Sequence, residues 1–209
     1  MKSVAGIVFL GIVLAVLTCC APKEERPWSP PEDAVLAVAG FSQPQHSKEF
    51  IDHVGVDRKK IEPDILKQLD SDLRDLIRQS EQEIIGPEIV AQCEKSFEDI
   101  GSYQSALDYW VQVGECVSAD FILIPFVFKW EERLGGSWGV QEPAAVTLEL
   151  NLIDVQKQRH ESFLFDKRQY SLLEDLTQAG SFFRRGGKWI SARELAQEGL
   201  ERGVRGLGL

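Results

Sequence analysis

The run Ala34-Val-Leu-Ala-Val-Ala-Gly40 is apolar at nearly every position and stops at a glycine, with Pro44 close behind. A short continuous apolar run bounded in this way predicts a strand buried on both faces. Ser42 to Pro63 is polar and predicts a loop. From Asp64 the period changes. Ile65, Leu66, Leu69, Leu73, Leu76 and Ile77 recur at three- and four-residue spacing, with Lys67, Asp70, Asp72, Arg74 and Arg78 between them. This is the stripe of an amphipathic helix, and the charged positions read as its solvated face. Ile84-Ile85 followed by Pro87 to Val90 predicts a second short strand. Tyr103, Ala106, Leu107, Trp110, Val113 and Val117 predict a second helix, with Ser102 as its cap. Phe121-Ile-Leu-Ile-Pro-Phe-Val-Phe128 is apolar on both faces and belongs within a sheet. Pro125 has no N–H, so it requires an edge or a bulge. Between Ala145 and Ile153 the pattern alternates: Val146, Leu148, Leu150 and Leu152 against Thr147, Glu149 and Asn151. That predicts a strand with one buried and one wet face. Asp154 to His160 reads as a polar turn, and Ser162 to Arg168 as a returning strand with Phe163 and Phe165 on one face. Phe182-Phe183 and a Gly186-Gly187 turn follow. Ser191 and Glu194 stand at capping-box spacing and open a last helix. Its stripe is Leu195, Ala196, Gly199, Leu200, Gly203 and Val204, small enough to let the helix approach its neighbour closely. Strand, helix, strand, helix, three strands and a helix define an α/β class: a mixed sheet with helices packed against it, a single α/β sandwich domain over residues 34–209.

The chain ahead of this domain has a different character. Met1-Lys2 is basic, and Val4 to Leu17 is apolar without a charge. That run is shorter than the roughly 20 residues a bilayer-spanning helix needs, and has the length of a secretory h-region. It ends in Leu17-Thr18-Cys19-Cys20, which resembles the lipobox of bacterial lipoproteins. Residues 1–19 are then a signal peptide, and Cys20 is the lipid-bearing first residue of the mature chain. Cys19 at −1 departs from the usual small residues there, and a frame with Cys19 modified stays open. Acyl chains contribute about 0.8 kcal/mol per buried CH₂, so more than one is needed for stable anchoring. Residues 20–33 are rich in proline and charge and read as a tether. By resemblance to sorted lipoproteins, Ala21 after the modified Cys implies the outer membrane, with the domain facing the periplasm.

Charge narrows the partners. The chain carries 23 Lys+Arg against 33 Asp+Glu, a net charge of −10. No basic run with interleaved aromatics interrupts it, so a nucleic-acid partner is not expected; Arg184-Arg185 and Lys188 form only a small basic spot. Cys93 and Cys116 remain within the domain. In an oxidising compartment they form either a disulfide or two buried thiols, and their spacing is not that of a zinc or redox motif.

The element order and the lipobox together resemble the periplasmic lipoproteins of the CsgG and LpoB type, over about residues 34–205. The resemblance rests on the opening strand Val35 to Phe41, the step Ser118-Ala-Asp120 into Phe121-Ile-Leu-Ile, and the strand pair near 145–168. Four blocks look like those of uncharacterised lipoproteins of this broad group: Glu142-Pro-Ala-Ala-Val146, Leu150-Asn-Leu-Ile-Asp154, Phe165-Asp-Lys-Arg-Gln169 and Gly186-Gly-Lys-Trp189. The group's Thr-Gly hairpin turn is absent, its place taken by Gln156 to His160. The resemblance implies an assembly or accessory factor that binds another envelope protein, and no catalytic residue is carried over.

The residues themselves agree with a binding role. No metalloprotease, nucleophile-elbow or P-loop motif occurs. His46 and His53 read as solvent-facing loop residues, Glu131-Glu132 and Asp70/Asp72 as solvated faces. No metal and no cofactor are expected. One segment stands out: Glu131 to Pro143, long for a hairpin loop, with Gly135, Gly136 and Trp138. Such loops are uncommon unless functional or disordered, and Trp is enriched at binding hot spots. Trp138 either meets a partner or folds back onto the sheet. Two other classes compete. A secretion ring of the CsgG type would use Phe121 to Trp130 and Ala145 to Ile153 as membrane strands; an envelope hydrolase would need a nucleophile–base pair. The oligomeric state is not legible.

Overall fold

The computed structural model of the chain describes residues 29–44, 51, 59–78, 83–98, 105–136, 140–169 and 189–209. Within them the order is β1 (Leu36–Val38), α1 (Pro63–Ile77), β2 (Ile84–Ile85), α2 (Pro87–Glu98), α3 (Ala106–Cys116), β3 (Phe121–Glu131), β4 (Leu134–Gly135), β5 (Val140–Glu142), β6 (Ala145–Asp154), β7 (Arg159–Arg168) and α4 (Ala192–Gly206). Five strands form one sheet in the order β2-β1-β3-β6-β7. β2, β1 and β3 are parallel, and β3, β6 and β7 form an antiparallel meander. The mixed α/β sandwich read from the sequence is the fold.

The alternation of side chains along each strand divides the core in two. Leu36, Leu123, Leu148, Leu150, Leu152 and Phe165 face α1 and α4. Ala37, Ile122, Ile124, Phe126, Phe128 and Ile153 face α2 and α3. Sheets covered on both faces want strands that are apolar throughout, which is what β1 and β3 supply. β6 is the exception. Glu149 and Asn151, read from the alternation as a wet face, are only 1% and 0% exposed. β6 lies between β3 and β7, and its polar residues share a face with Phe126 and Ile124 of β3. An interior strand of a two-sided sandwich has no wet face, whatever its pattern.

Pro87 does not continue a strand. It starts α2, where its missing N–H is one of the donors a helix leaves unpaired. The cap of α3 is Ser105, whose side chain accepts from Asp108 N–H at 3.1 Å, three residues beyond the expected Ser102. α2 is thus an element that the sequence reading lacked. Pro125 sits in β3 with a sheet neighbour on each side, yet leaves no ladder bond broken. Phe121 N–H and Val127 N–H both donate on the β1 side, to Val35 and Ser42. The two-residue period turns Pro125 the same way, at a level where β1 has already ended at Val38. Its carbonyl accepts from Ser42 N–H instead.

The two ends of the described chain meet. Pro30 is buried, and a Cβ added at Gly208, whose φ is 70°, would collide with Ser29. Ser29 to Asp33, read as part of the tether, therefore lie on the domain.

Candidate functional site

β3 and β6 pair from Phe121↔Asp154 out to Glu131↔Ala145. Beyond the sheet the same hairpin continues as the ribbon β4–β5, with Leu134 opposite Glu142 and Gly135 opposite Val140. The described residues of the segment Glu131 to Pro143, 131–136 and 140–143, therefore include an ordered two-stranded ribbon. Its base is fastened to the start of α4. The Glu132 carboxylate accepts from Ala192 N–H at 3.1 and 3.3 Å. This supplies a free donor of the first helical turn with an anion, the sign its dipole favours. The Arg133 guanidinium donates to the Trp189 carbonyl, and Lys129 pairs with Glu131 at 3.4 Å. The α4 terminus is itself rigid. Ser191 Oγ accepts from Glu194 N–H at 3.2 Å, and Ser191 N–H donates to the Glu194 carboxylate at 2.8 Å. That N–H and, after it, the Ser191 hydroxyl, which donates to the same carboxylate at 2.8 Å, hold the Glu194 carboxyl below the usual range. The expected capping box is in place.

On this fixed base the ribbon presents Leu134, 51% exposed, then Gly135 and Gly136, both exposed. Gly135 has φ 114°, a region that side-chain-bearing residues avoid. Trp138 lies outside the described residues, as do Cys20, His46, His53 and the basic spot of Arg184, Arg185 and Lys188. His160 is on β7, exposed. Cys93 and Cys116 are joined as a disulfide with Cα atoms 6.0 Å apart, tying α2 to α3. Phe121 to Trp130 and Ala145 to Ile153, the segments considered as membrane strands, lie within β3 and β6 at the middle of the sheet. Among the described residues no helix is long and apolar enough to cross a membrane, and no group of three or more His, Cys, Asp or Glu could hold a metal ion.

Three of the carboxylates read as solvated have work in the fold. Glu132 caps α4, as above. Asp72 is 9% exposed and takes a two-pronged grip from Arg193: Nη2 to Oδ1 at 2.8 Å and Nε to Oδ2 at 3.2 Å. This pair links α1 to α4. The Asp72 hydrogen bond raises the Arg193 pKa. Asp70 accepts the Phe41 N–H at Oδ1, at 2.6 Å. Burial pushes its carboxyl above the ordinary 3.8, against the opposing pull of that N–H and of Arg74. A signal for both was present. Ile65, Leu69, Asp72 and Leu76 follow helical spacing, as do Leu66, Asp70, Leu73 and Ile77, so each aspartate occupies a position of the apolar stripe.

Asp70 also lines a recess of about 220 Å³ between α1 and α2, beside the carboxyl ends of β1 and β2. Leu73, Ile77 and Ile84 give it an apolar wall; Arg74 and Glu88, paired at 3.2 Å, reach across from the two helices.

No family model matches the chain, and no curated protein matches it. Solved structures do. The C-terminal domain of LpoB from Salmonella enterica is 12% identical with a TM-score of 0.39, over 65% of this chain and 83% of that one. The PelC dodecamer from Paraburkholderia phytofirmans is 12% identical with a TM-score of 0.48, over 88% and 96%. Lipoprotein GNA1162 from Neisseria meningitidis is 13% identical with a TM-score of 0.37, over 74% and 99%. The structural neighbours thus include the LpoB type that the sequence blocks resemble.

Proposed function

We propose that this chain is a lipid-anchored accessory protein of the bacterial envelope, which binds another envelope protein through the β4–β5 ribbon. Cys20 carries the anchor, in the outer membrane, and the domain faces the periplasm. The role is recognition and not catalysis. The observation that carries the reading is the ribbon itself: an exposed protrusion whose base is held by Glu132 and Arg133 on α4. A pre-ordered protrusion loses little conformational freedom on binding, and the exposed Leu134, with Trp138 four residues on in the sequence, supplies the apolar side chains that interfaces use.

Two experiments test the two halves. Cys20→Ala should abolish acyl labelling and release the protein from membranes; labelling that persists in this variant would move the anchor to Cys19 or remove the lipoprotein reading. A photoreactive residue at 134 should give a discrete crosslinked adduct in intact cells, and Leu134→Asp should lose co-purification of that partner from crosslinked envelopes. Because Leu134 is exposed, the variant should melt with the wild type. Undiminished co-purification would take the ribbon out of the interface.

A further inference from the structure

β7 ends the sheet, and among the described residues no strand pairs with its outer side. It runs ten residues, Arg159–Arg168; β2, at the opposite edge, has two. Ser162, Leu164, Asp166, Lys167 and Arg168 are exposed along it, Leu164 at 48%. A long exposed edge is a template for another strand, and proteins usually blunt such an edge with charge. β7 is charged at Arg159, Glu161, Asp166, Lys167 and Arg168. The spacing of those charges decides whether the edge repels a second strand or receives one.

The backbone limits the registers open to a second copy. Gln169 N–H donates to the Ala144 carbonyl at 3.0 Å, and the β6–β7 ladder beside it runs without a register shift. Backbone groups alternate sides along an antiparallel strand, so the odd-numbered residues of β7 spend theirs on β6. The even-numbered ones, Leu164, Asp166 and Arg168 among them, turn theirs outward. A copy running antiparallel must therefore set even residues opposite even ones. With Leu164 facing its own copy, Glu161 stands opposite Lys167, Ser162 opposite Asp166 and Phe163 opposite Phe165, each twice about the axis. Opposite charges and aromatic pairs across strands are favourable. Moving the axis to Phe163 sets Arg159 against Lys167 and Glu161 against Phe165; moving it to Phe165 sets Asp166 against Leu164. The one unfavourable facing in the Leu164 register, His160 with Arg168, lies at the strand ends, and only a protonated imidazole makes it so.

Strand pairing alone is a thin contact, and α4 adds a second layer to it. The helix straddles β6 and β7: a Cβ at Gly203 would meet Leu150 of β6 and Phe163 of β7. With strands about 4.8 Å apart, α4 lies about 5 Å from the axis in projection. Two copies of the helix then run about 10 Å apart, a separation at which helices pack. We infer that two copies of this chain pair edge to edge through β7, about a two-fold axis at Leu164, into one sheet continuous across both. The pairing shares no residue with the β4–β5 ribbon and stands apart from the function proposed for it.

The test uses the chain from Cys20 onward without its lipid, which keeps the packed Ser29 and Pro30. Sedimentation equilibrium should show monomer and dimer and nothing larger, because an interface symmetric about a two-fold axis closes on itself. Lys167→Glu sets like charges opposite each other twice and should weaken the dimer about tenfold. Adding Glu161→Lys to it restores both pairs with their signs exchanged and should recover the wild-type constant, which a folding defect would not allow. Register is read by disulfide trapping of the full-length protein in cells. Facing Cα atoms of a hydrogen-bonded antiparallel pair stand about 5.5 Å apart, within disulfide reach, so Leu164→Cys should give a covalent dimer. Ser162→Cys, which faces Asp166 and not its own copy, should not. A monomer at every concentration, a dimer indifferent to Lys167→Glu, or equal trapping by the two cysteines would overturn the pairing. So would a wild-type monomer whose Leu164→Cys variant joins a different protein in cells, and the edge would then belong to that protein's strand.

Discussion

Gly199 and Gly203 set the distance between α4 and the sheet. A Cβ at Gly199 would stand 2.8 Å from the Phe165 ring, and one at Gly203 would stand 2.6 Å from Leu150. Neither distance is tolerated without movement, and overpacking of this kind costs about 1–3 kcal/mol. Gly199→Leu should therefore lower stability by about that amount, whereas Glu198→Leu, one residue away on the half-exposed side, should change little. Equal melting temperatures for the two variants would mean that α4 does not dock through this stripe. Asp70 gives the opposite sign. Its folded-state pKa lies above the ordinary 3.8, so the native state binds its proton more tightly than the unfolded chain. The group costs nothing below pH 3.8 and lowers stability as the pH rises through the folded value. Asp70→Asn should then melt above the wild type at pH 7, with the gain disappearing below the usual aspartate range. A gain that is the same at both ends of that range would show that charge is not its cause.

At the scale of elements, α2 and α3 pack into the same core beneath the sheet and are joined across it by the Cys93–Cys116 disulfide. Removing a disulfide of this loop length costs about 2–4 kcal/mol. Cys93→Ser with Cys116→Ser should lower the midpoint of denaturant unfolding accordingly, and reduction of the wild type should reproduce the shift; an unchanged midpoint in both would mean that the pair stays open in solution. These helices are also where the sequence was hardest to read. Ile84-Ile85 and Ile89-Val90 flank Gly86-Pro87, and a β-branched series hides the fact that a proline at the first helical position is a start signal. α1 and α4 were easy by contrast, because a long stripe and a capping box are local. The Asp72–Arg193 pair was not, since its partners stand on different helices far apart in the chain. The β4–β5 segment was recognisable by its length and glycines, but its fastening through Glu132 to Ala192 is a tertiary contact with no local pattern. β6 misleads for the same reason: alternation records chemistry, while burial depends on which strands flank it.

For the whole molecule, the antiparallel meander and the parallel β2-β1-β3 unit divide the labour. The first extends into the ribbon proposed to meet a partner, and the second carries α1 and α2 on opposite faces of the sheet. Both are carried on one sheet, whose two cores leave the helices little freedom to shift independently. The meeting of Ser29 with Gly208 adds a constraint from outside the sheet. Under the anchoring proposed for Cys20, residues 21–28 would be the chain between bilayer and domain, and covalent geometry would limit that span to about 30 Å. So short a leash would confine the domain to a thin shell of volume next to the membrane. A partner embedded in or moored to the same surface would meet it at a high effective concentration, and modest affinity would suffice to keep the two together. A partner diffusing freely across the compartment would gain nothing from the leash.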